Sequence, residues 1–130
     1  MSALALWQGG RMDAAAVRQW VAEYERAWRE LDSAAVSTLF TEHAQYLDSP
    51  YETPRVGHEA IAAEWNDPRP FTMDVESILV AGSRAVARVR VNYSEPEQEY
   101  LDLWELDFDA SGRVERFVEW AYWPGKEFSA

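Results

Sequence analysis

The acidic residue Glu119 lies in an aromatic stretch near the end of the chain, where it could carry acid–base chemistry. The segment GRVERFVEWAYWPG, residues 112–125, alternates β-branched and aromatic residues, begins with glycine and ends at a Pro-Gly pair. This pattern is typical of a β-strand. Because side chains two apart share a strand face, Glu119 lies between Phe117 and Trp123. A carboxylate in apolar surroundings is desolvated, which favours its protonated form.

A second acid, Asp102, faces Glu119 in the simplest pairing of the last two strands. With a two-residue loop at 110–111, Asp102 lies opposite Glu119 and Trp104 lies opposite Phe117. Two like charges directly opposite each other are unfavourable unless something compensates them. A cation between the two carboxylates is the simplest remedy.

The strand predicted at 85–93 offers two cations, Arg88 and Arg90, and two registers are open for it. A three-residue loop at 95–97 places Arg90 opposite Asp102 and turns both arginines toward the acids. A two-residue loop turns the arginines outward and places the alternating valines in the core. With the arginines inward, one carboxyl group could act as a base while another is held ionised.

Hydrophobic periodicity predicts helices first and strands last. Asp13 is a plausible N-cap, and apolar residues then recur at helical spacing: Val17, Trp20, Val21, Tyr24, Trp28 and Leu31. A short second helix after Ser33, a strand at 43–51 and a third helix at 58–65 follow. Four strands complete the pattern, at 71–80, 85–93, 98–109 and 113–123. This order predicts an α+β fold, with three N-terminal helices on one face of a curved, mainly antiparallel sheet.

Composition limits the classes of function. The 130 residues fit one domain, predicted at 13–124 between an N-terminal extension, 1–12, and a tail, 125–130. A net charge of −11 makes nucleic acid and anionic membranes improbable partners. The chain has no cysteine, and its two histidines lack metal-ligand spacing, so we expect no metal and no cofactor. The first residues do not resemble a signal peptide, which predicts a cytoplasmic location.

The order of elements and several motifs together resemble the SnoaL-like branch of the nuclear-transport-factor-2-like superfamily. The resemblance covers roughly 14–123 and rests on LDSAAVSTLF, AQYLDSP…VGHEAIAAEW and LWELDFDASGRVERFVEW. It implies a cone-shaped roll in which three helices close over a bent sheet and leave one pocket at the wide end. Members include ketosteroid isomerases, polyketide cyclases, limonene-epoxide-type hydrolases and proteins that only bind or dimerise, so the fold alone does not fix the activity.

The resemblance also implies roles for individual residues. Relative to ketosteroid isomerases, Tyr24 falls on the oxyanion donor and Asp48 on the base, while Trp104 stands in place of a protonated aspartate. Relative to limonene-epoxide-type hydrolases, Tyr46 and Asp48 fall on the water-holding pair. Glu119 and Arg88 fall on two members of the Asp-Arg-Asp set, and both then face the pocket.

Further positions of the hydrolase set depart from the family pattern. Arg90 stands where the second aspartate is expected, with reversed charge, and Asp102 on the next strand could substitute for it. This comparison favours the register with the arginines inward.

These observations predict an enzyme that acts without a cofactor on a small, mainly apolar, oxygen-containing molecule. Asp48 is the candidate base, Tyr24 or Tyr46 the oxyanion donor, and Arg88 with Glu119 an orienting pair. The predicted ligand-binding residues are Trp65, Arg90, Asp102, Trp104, Phe117 and Trp123. The alternative is a non-catalytic ligand-binding or dimerisation module, in which Asp48 is a turn residue and the acids serve stability.

The outer face of the last two strands predicts a homodimer. Apolar residues share that face on both strands: Val118, Trp120, Tyr122, Leu101 and Leu103. A patch of this size is expected to be covered, and sheet-to-sheet packing of two copies would cover it.

Overall fold

The fold is described from a computed structural model, which covers residues 12–126. Of the predicted extension at 1–12 and tail at 125–130, the described residues include only Met12, Gly125 and Lys126. The domain boundaries at 13 and 124 therefore stay predictions.

The first helix, α1, spans Ala14–Glu30 and begins where the sequence predicts. The Asp13 side chain accepts a hydrogen bond from Ala16 N at 2.8 Å, which caps the helix. The helix ends at Leu31, whose φ of 52° is left-handed. One stripe of the helix is buried and packs on the sheet, and it contains Val17, Trp20, Val21 and Tyr24.

Two shorter helices and six strands complete the described chain. A 3₁₀ turn, Ser33–Ala35, leads into α2, Val36–Leu39, and α3 spans His58–Ala62. The strands are β1 Phe40–Leu47, β2 Arg55–Val56, β3 Phe71–Ala81, β4 Arg84–Ser94, β5 Glu97–Phe108 and β6 Val114–Tyr122. The sheet order is β2-β1-β6-β5-β4-β3, and every described neighbouring pair is antiparallel except the parallel β1 and β6. The α+β prediction is confirmed, although β1 begins three residues before the predicted strand at 43–51.

The register of β4 corrects the inward-arginine prediction. Ser94 pairs with Glu97, which leaves a two-residue loop, and Val89 rather than Arg90 lies opposite Asp102. The inward side chains of β4 are apolar and fully buried: Ala85, Ala87, Val89 and Val91. Burying valines releases apolar surface from water, whereas burying two guanidinium groups would require their desolvation.

Arg88 and Arg90 lie on the outer face of the sheet, where neither can orient Glu119 or bind a ligand inside. The Nε atoms of both contact the Glu76 carboxylate, at 2.9 and 3.0 Å, and Arg90 Nη1 contacts Glu99 Oε1 at 2.9 Å. These pairs are partly exposed to water and contribute little to stability. The predicted Arg88–Glu119 pair is therefore wrong.

The pairing of β5 with β6 is shifted by two residues from the prediction. Trp104 lies opposite Glu119 rather than Phe117, and Asp102 lies opposite Ala121. The shift arises because Asp109 N donates to Arg113 O across a longer turn and the ladder is irregular between Asp107 and Phe108. An even shift preserves the face, so the inward positions of the two acids were predicted correctly.

The homodimer prediction concerns the outer face, which carries exposed Leu103, Trp120 and Tyr122 on adjacent strands. Two copies that pack through this face would remove these apolar side chains from water. Sedimentation velocity at micromolar concentration is expected to give a dimer, and Leu103→Glu should shift it toward monomer. A wild-type monomer at this concentration would contradict the prediction.

Within residues 12–126, no helix has both the length and the apolar character needed to cross a membrane.

Candidate active site

A cavity of about 360 Å³ lies between the N-terminal helices and the inner face of the sheet. Its volume suits a small organic molecule. Seven of its sixteen lining residues are aromatic: Tyr24, Trp28, Tyr46, Trp65, Tyr93, Tyr100 and Trp104. Its acidic lining residues are Asp48, Glu64, Asp67, Asp102 and Glu119, and its one basic lining residue within the described chain is Arg69. The cavity is therefore aromatic with a marked excess of carboxyl groups.

Two of these carboxyl groups, Asp102 and Glu119, form a pair on the sheet wall. They are diagonal neighbours on β5 and β6 and share a hydrogen bond. The indole Nε1–H of Trp104, opposite Glu119, donates to Glu119 Oε2 at 3.1 Å and more weakly to Asp102 Oδ2 at 3.4 Å. The repulsion between the two acids is therefore relieved by the indole N–H and by a shared proton, whereas the sequence predicts a cation in this role.

Glu119 holds that proton at neutral pH. Burial raises the pKa of Glu119 to about 9, and the charges of Asp102 and Asp48 act in the same direction. Burial also raises the pKa of Asp102, while its hydrogen bonds with Glu119 and Trp104 act against the rise. Two adjacent carboxylates cannot both ionise easily, so the pair shares one proton and carries one negative charge, mainly on Asp102.

Two tyrosine hydroxyl groups, one from a helix and one from a strand, contact each other at the cavity. The hydroxyl oxygens of Tyr24 on α1 and Tyr46 on β1 lie 3.0 Å apart. The ring of Tyr46 stacks on Phe117, with centroids 4.6 Å apart. Burial raises the pKa values of both tyrosines, so both hydroxyl groups stay protonated and can donate a hydrogen bond.

Asp48 follows β1 directly and is fixed by an arginine that sequence reasoning missed. Arg55 Nη1 contacts Asp48 Oδ2 at 2.8 Å and Glu52 Oε1 at 2.6 Å, and Arg55 Nε contacts Glu64 Oε1 at 2.6 Å. Burial raises the pKa of Asp48 above its ordinary value, and the positive charge of Arg55 offsets only part of that rise. Asp48 thus joins the cavity as a half-buried base candidate with a fixed orientation.

The rim carries a second ion pair. Arg69 Nη2 contacts Asp67 Oδ2 at 2.7 Å, and the guanidinium carbon lies 4.1 Å from the centroid of the Tyr93 ring. The positive charge at the rim is therefore already engaged by a carboxylate and by an aromatic face.

The structure brings most of the predicted site residues together. Seven of them line the cavity: Tyr24, Tyr46, Asp48, Trp65, Asp102, Trp104 and Glu119. Phe117 is fully buried beneath Tyr46 and supports the wall without lining it. Trp123 is 39% exposed, contacts the Tyr100 ring and is not among the lining residues. Arg88 and Arg90 lie outside.

Several lining residues were missed, and some had a signal in the sequence. Tyr93 and Tyr100 share the strand parity of Val91 and Asp102, so the two-residue loop would have placed them inward. Trp28 belongs to the apolar stripe that predicts α1, and such a stripe does not distinguish a cavity-lining residue from a core residue. Nothing in the sequence alone indicated that Arg55 would reach Asp48, because a loop separates them.

Within residues 12–126, no group of His, Cys, Asp and Glu has metal-ligand geometry. The expectation of no metal stays a prediction.

Comparison with known proteins identifies the family to which the chain belongs. The SnoaL-like domain family matches residues 17–123. The chain belongs to this SnoaL-like family. None of the curated proteins matches its sequence.

Solved structures share the fold of this SnoaL-like protein at low sequence identity. A cystatin-like protein of unknown function from Methylobium petroleophilum superposes with a TM-score of 0.74 at 17% identity, covering 92% of this chain and 84% of that one. The epoxide hydrolase/cyclase-like enzyme SalBIII, which is described with a role in pyran ring formation in the polyether salinomycin, superposes with a TM-score of 0.70 at 17% sequence identity. The match covers 81% of this chain and 89% of that one. A protein described as a ketosteroid isomerase from Kribbella flavida superposes with a TM-score of 0.67 at 15% sequence identity. The match covers 89% of this chain and 83% of that one. These likenesses show the fold alone, which is described as cystatin-like for the first of the three.

Proposed function

We propose that this SnoaL-like protein is a cofactor-free acid–base enzyme that isomerises, cyclises or hydrates a small, mainly apolar, oxygen-containing molecule. The observation that carries the proposal is one cavity lined by a neutral carboxylic acid, Glu119, and an ion-paired carboxylate, Asp48. Acid and base roles require two titratable groups whose environments push their pKa values apart. The structural neighbours described as an isomerase and a hydrolase/cyclase support the same class of chemistry.

The proposed chemistry is a proton transfer across the cavity. The Asp48 carboxylate removes a proton from carbon or from a hydroxyl group of the substrate, and negative charge develops on the substrate oxygen. Glu119, or the hydroxyl of Tyr24 or Tyr46, donates a hydrogen bond to that oxygen. In an isomerisation, Asp48 returns the proton to a different carbon, so no co-reactant is consumed. The aromatic walls bind the apolar body of the substrate.

Asp48→Asn is expected to abolish turnover while it leaves ligand binding largely intact. Asparagine has similar size but cannot accept a proton at neutral pH, so kcat should fall by about 10²- to 10⁴-fold. Ligands would first be found by thermal shift against steroids, terpenoid epoxides and polyketide-like aromatics, and turnover would then be assayed on those that bind.

Asp74→Asn, at an exposed position on β3, is the matched control and should retain wild-type turnover. If Asp48→Asn turns over substrate at the wild-type rate, Asp48 is not the base. If wild-type protein binds ligands and turns over none of them, the non-catalytic binding module is the better description. The ion pair that already engages Asp48 is the feature that favours that alternative.

A further inference from the structure

Strand pairing brings the guanidinium group of Arg55 to Asp48. Arg55 on β2 lies opposite Tyr46 on β1, and residues directly opposite in an antiparallel pair share a face of the sheet. Asp48 follows Tyr46 by two positions, and both line the cavity. The long side chain of Arg55 therefore extends along that face and reaches Asp48 Oδ2 at 2.8 Å.

This ion pair uses only one of the two carboxylate oxygens of Asp48. Arg55 contacts Oδ2, and within residues 12–126 no side chain or backbone group donates a hydrogen bond to Oδ1. The Asp48 side chain is 39% exposed and lines the cavity, so a ligand can reach it. The ion pair thus leaves Oδ1 available as the oxygen that takes a proton from the substrate.

Two further carboxylates hold the same guanidinium group. Arg55 Nη1 contacts Glu52 Oε1 at 2.6 Å, and Arg55 Nε contacts Glu64 Oε1 at 2.6 Å. When Asp48 accepts a proton it loses its charge and much of its attraction to Arg55. Glu52 and Glu64 still hold the guanidinium group, whose planar fork fixes the direction of each contact. Arg55 can therefore stay in place while Asp48 is protonated.

Stability alone is a weak reason for this arrangement. The side chains of Arg55 and its three partners are each about one-third exposed to water. Ion pairs with this exposure contribute little to the free energy of unfolding. The main effect of the cluster is instead to fix the geometry and the charge around Asp48.

One cation and two anions act on the ionisation of Asp48. Burial raises the pKa of Asp48, the charge of Arg55 opposes that rise, and the charges of Glu52 and Glu64 add to it. The other titratable groups that face Asp48 belong to the cavity walls and are protonated at neutral pH: Tyr24, Tyr46 and Glu119. Changes in Arg55 and in Glu52 should therefore act on Asp48 in opposite directions.

We propose that Arg55 is the positioning residue of the catalytic base: it holds Asp48 Oδ2 so that Oδ1 faces the substrate, while Glu52 and Glu64 keep the guanidinium group in place throughout the proton transfer. The proposal rests on the proposed function, because it concerns the base of the same site. Arg55 is not among the lining residues of the cavity, so it acts through Asp48 and not on the substrate.

The first test is a titration of Asp48 in the ligand-free full chain, followed by NMR of its side-chain carboxyl carbon. Arg55→Met removes the cation and should raise the pKa of Asp48, whereas Glu52→Gln removes an anion and should lower it. Arg55→Lys keeps the charge and should titrate close to wild type. Opposite shifts of this kind would not come from a general loss of structure.

Arg84→Met is the matched control, because Arg84 is an ion-paired arginine on the outer face and its partner is Asp107. This variant should leave the titration of Asp48 unchanged. An unchanged titration in Arg55→Met, with folding verified by circular dichroism, would overturn the proposal.

The second test uses 5-nitrobenzisoxazole, a small neutral aromatic probe for a carboxylate base. The base takes the ring C–H proton, the C–H electron pair completes a nitrile, and the N–O bond breaks to leave a coloured phenolate. At a pH where Asp48 is ionised in every variant, Arg55→Met should lower the catalysed rate at least about tenfold, because the carboxylate loses its orientation. Arg55→Lys should also be slower there, since one ammonium group cannot hold three carboxylates in a plane.

Asp48→Asn separates this proposal from the proposed function. If Asp48→Asn loses the catalysed rate and Arg55→Met stays within about twofold of wild type, Asp48 is the base and Arg55 does not position it. If Asp48→Asn is as fast as wild type, Asp48 is not the base and both proposals are wrong.

Discussion

Glu119→Gln is expected to make the protein more stable than wild type at pH 8 and to flatten the pH dependence of its stability. In the folded state burial raises the pKa of Glu119 to about 9, whereas the unfolded chain has the ordinary value. Between these values the folded state binds one more proton than the unfolded state, so the free energy of unfolding falls as pH rises. The limiting slope is about 1.4 kcal/mol per pH unit.

Urea denaturation between pH 5 and pH 8 measures this effect. Wild type is expected to lose on the order of 4 kcal/mol over that range, and Glu119→Gln should lose much less, because glutamine keeps the shape and cannot ionise. Glu115→Gln, an exposed site on the same strand, is the matched control and should follow wild type. Parallel pH profiles for wild type and Glu119→Gln would show that Glu119 is not held neutral.

Phe117→Ala is expected to lower the free energy of unfolding by about 3–5 kcal/mol, the range for deleting a fully buried aromatic ring. Phe117 is 0% exposed, stacks on Tyr46 at 4.6 Å and on Tyr24 at 5.5 Å, and contacts the Trp104 ring at 5.5 Å. Its loss leaves a void under both hydroxyl-bearing rings. Chemical denaturation at pH 6 gives the value.

Leu79→Ala provides the control for Phe117→Ala, because Leu79 is 71% exposed on β3. This change should stay within about 0.5 kcal/mol of wild type. If Phe117→Ala cost less than about 1 kcal/mol, the ring would not be a central packing element of the domain.

The inner face of the last two strands could be predicted from the sequence because its signal has a period of two. The turn after Asp109 contains more residues than predicted, yet the shift of two positions left Glu119, Asp102 and Trp104 on the inner face. Side-chain alternation is insensitive to even errors in register. The identity of the acid-bearing wall was therefore predictable, although the individual cross-strand pairs were not.

The orientation of β4 could not be predicted because it depended on one residue of loop length. The loop before Glu97 has two residues instead of three, and this single difference turned Arg88 and Arg90 to the outside. The segment alternates arginine with small apolar residues, so both registers offered a regular pattern. Only the packing of Val89 and Val91 in the core decides between them.

The partners of Asp48 depend on tertiary contacts that no local pattern encodes. Arg55, on β2, contacts Asp48 across a loop and also contacts Glu64, which follows α3 in the chain. Each contact requires that β1 and β2 are already paired. The sequence could place Asp48 after a strand, but it could not show that an arginine orients the carboxylate.

The irregular turn between β5 and β6 has a consequence for how this scaffold can diversify. Each residue advances a strand by about 3.3 Å. Inserting or deleting two residues in that exposed turn would therefore move Glu119 by about 7 Å along the sheet wall of the cavity, and its side chain would still face inward. Changing the length of the turn by one residue would instead turn the Glu119 side chain to the outer face of the sheet. Loop length in steps of two is thus a means of moving the acid relative to the base while the architecture is retained.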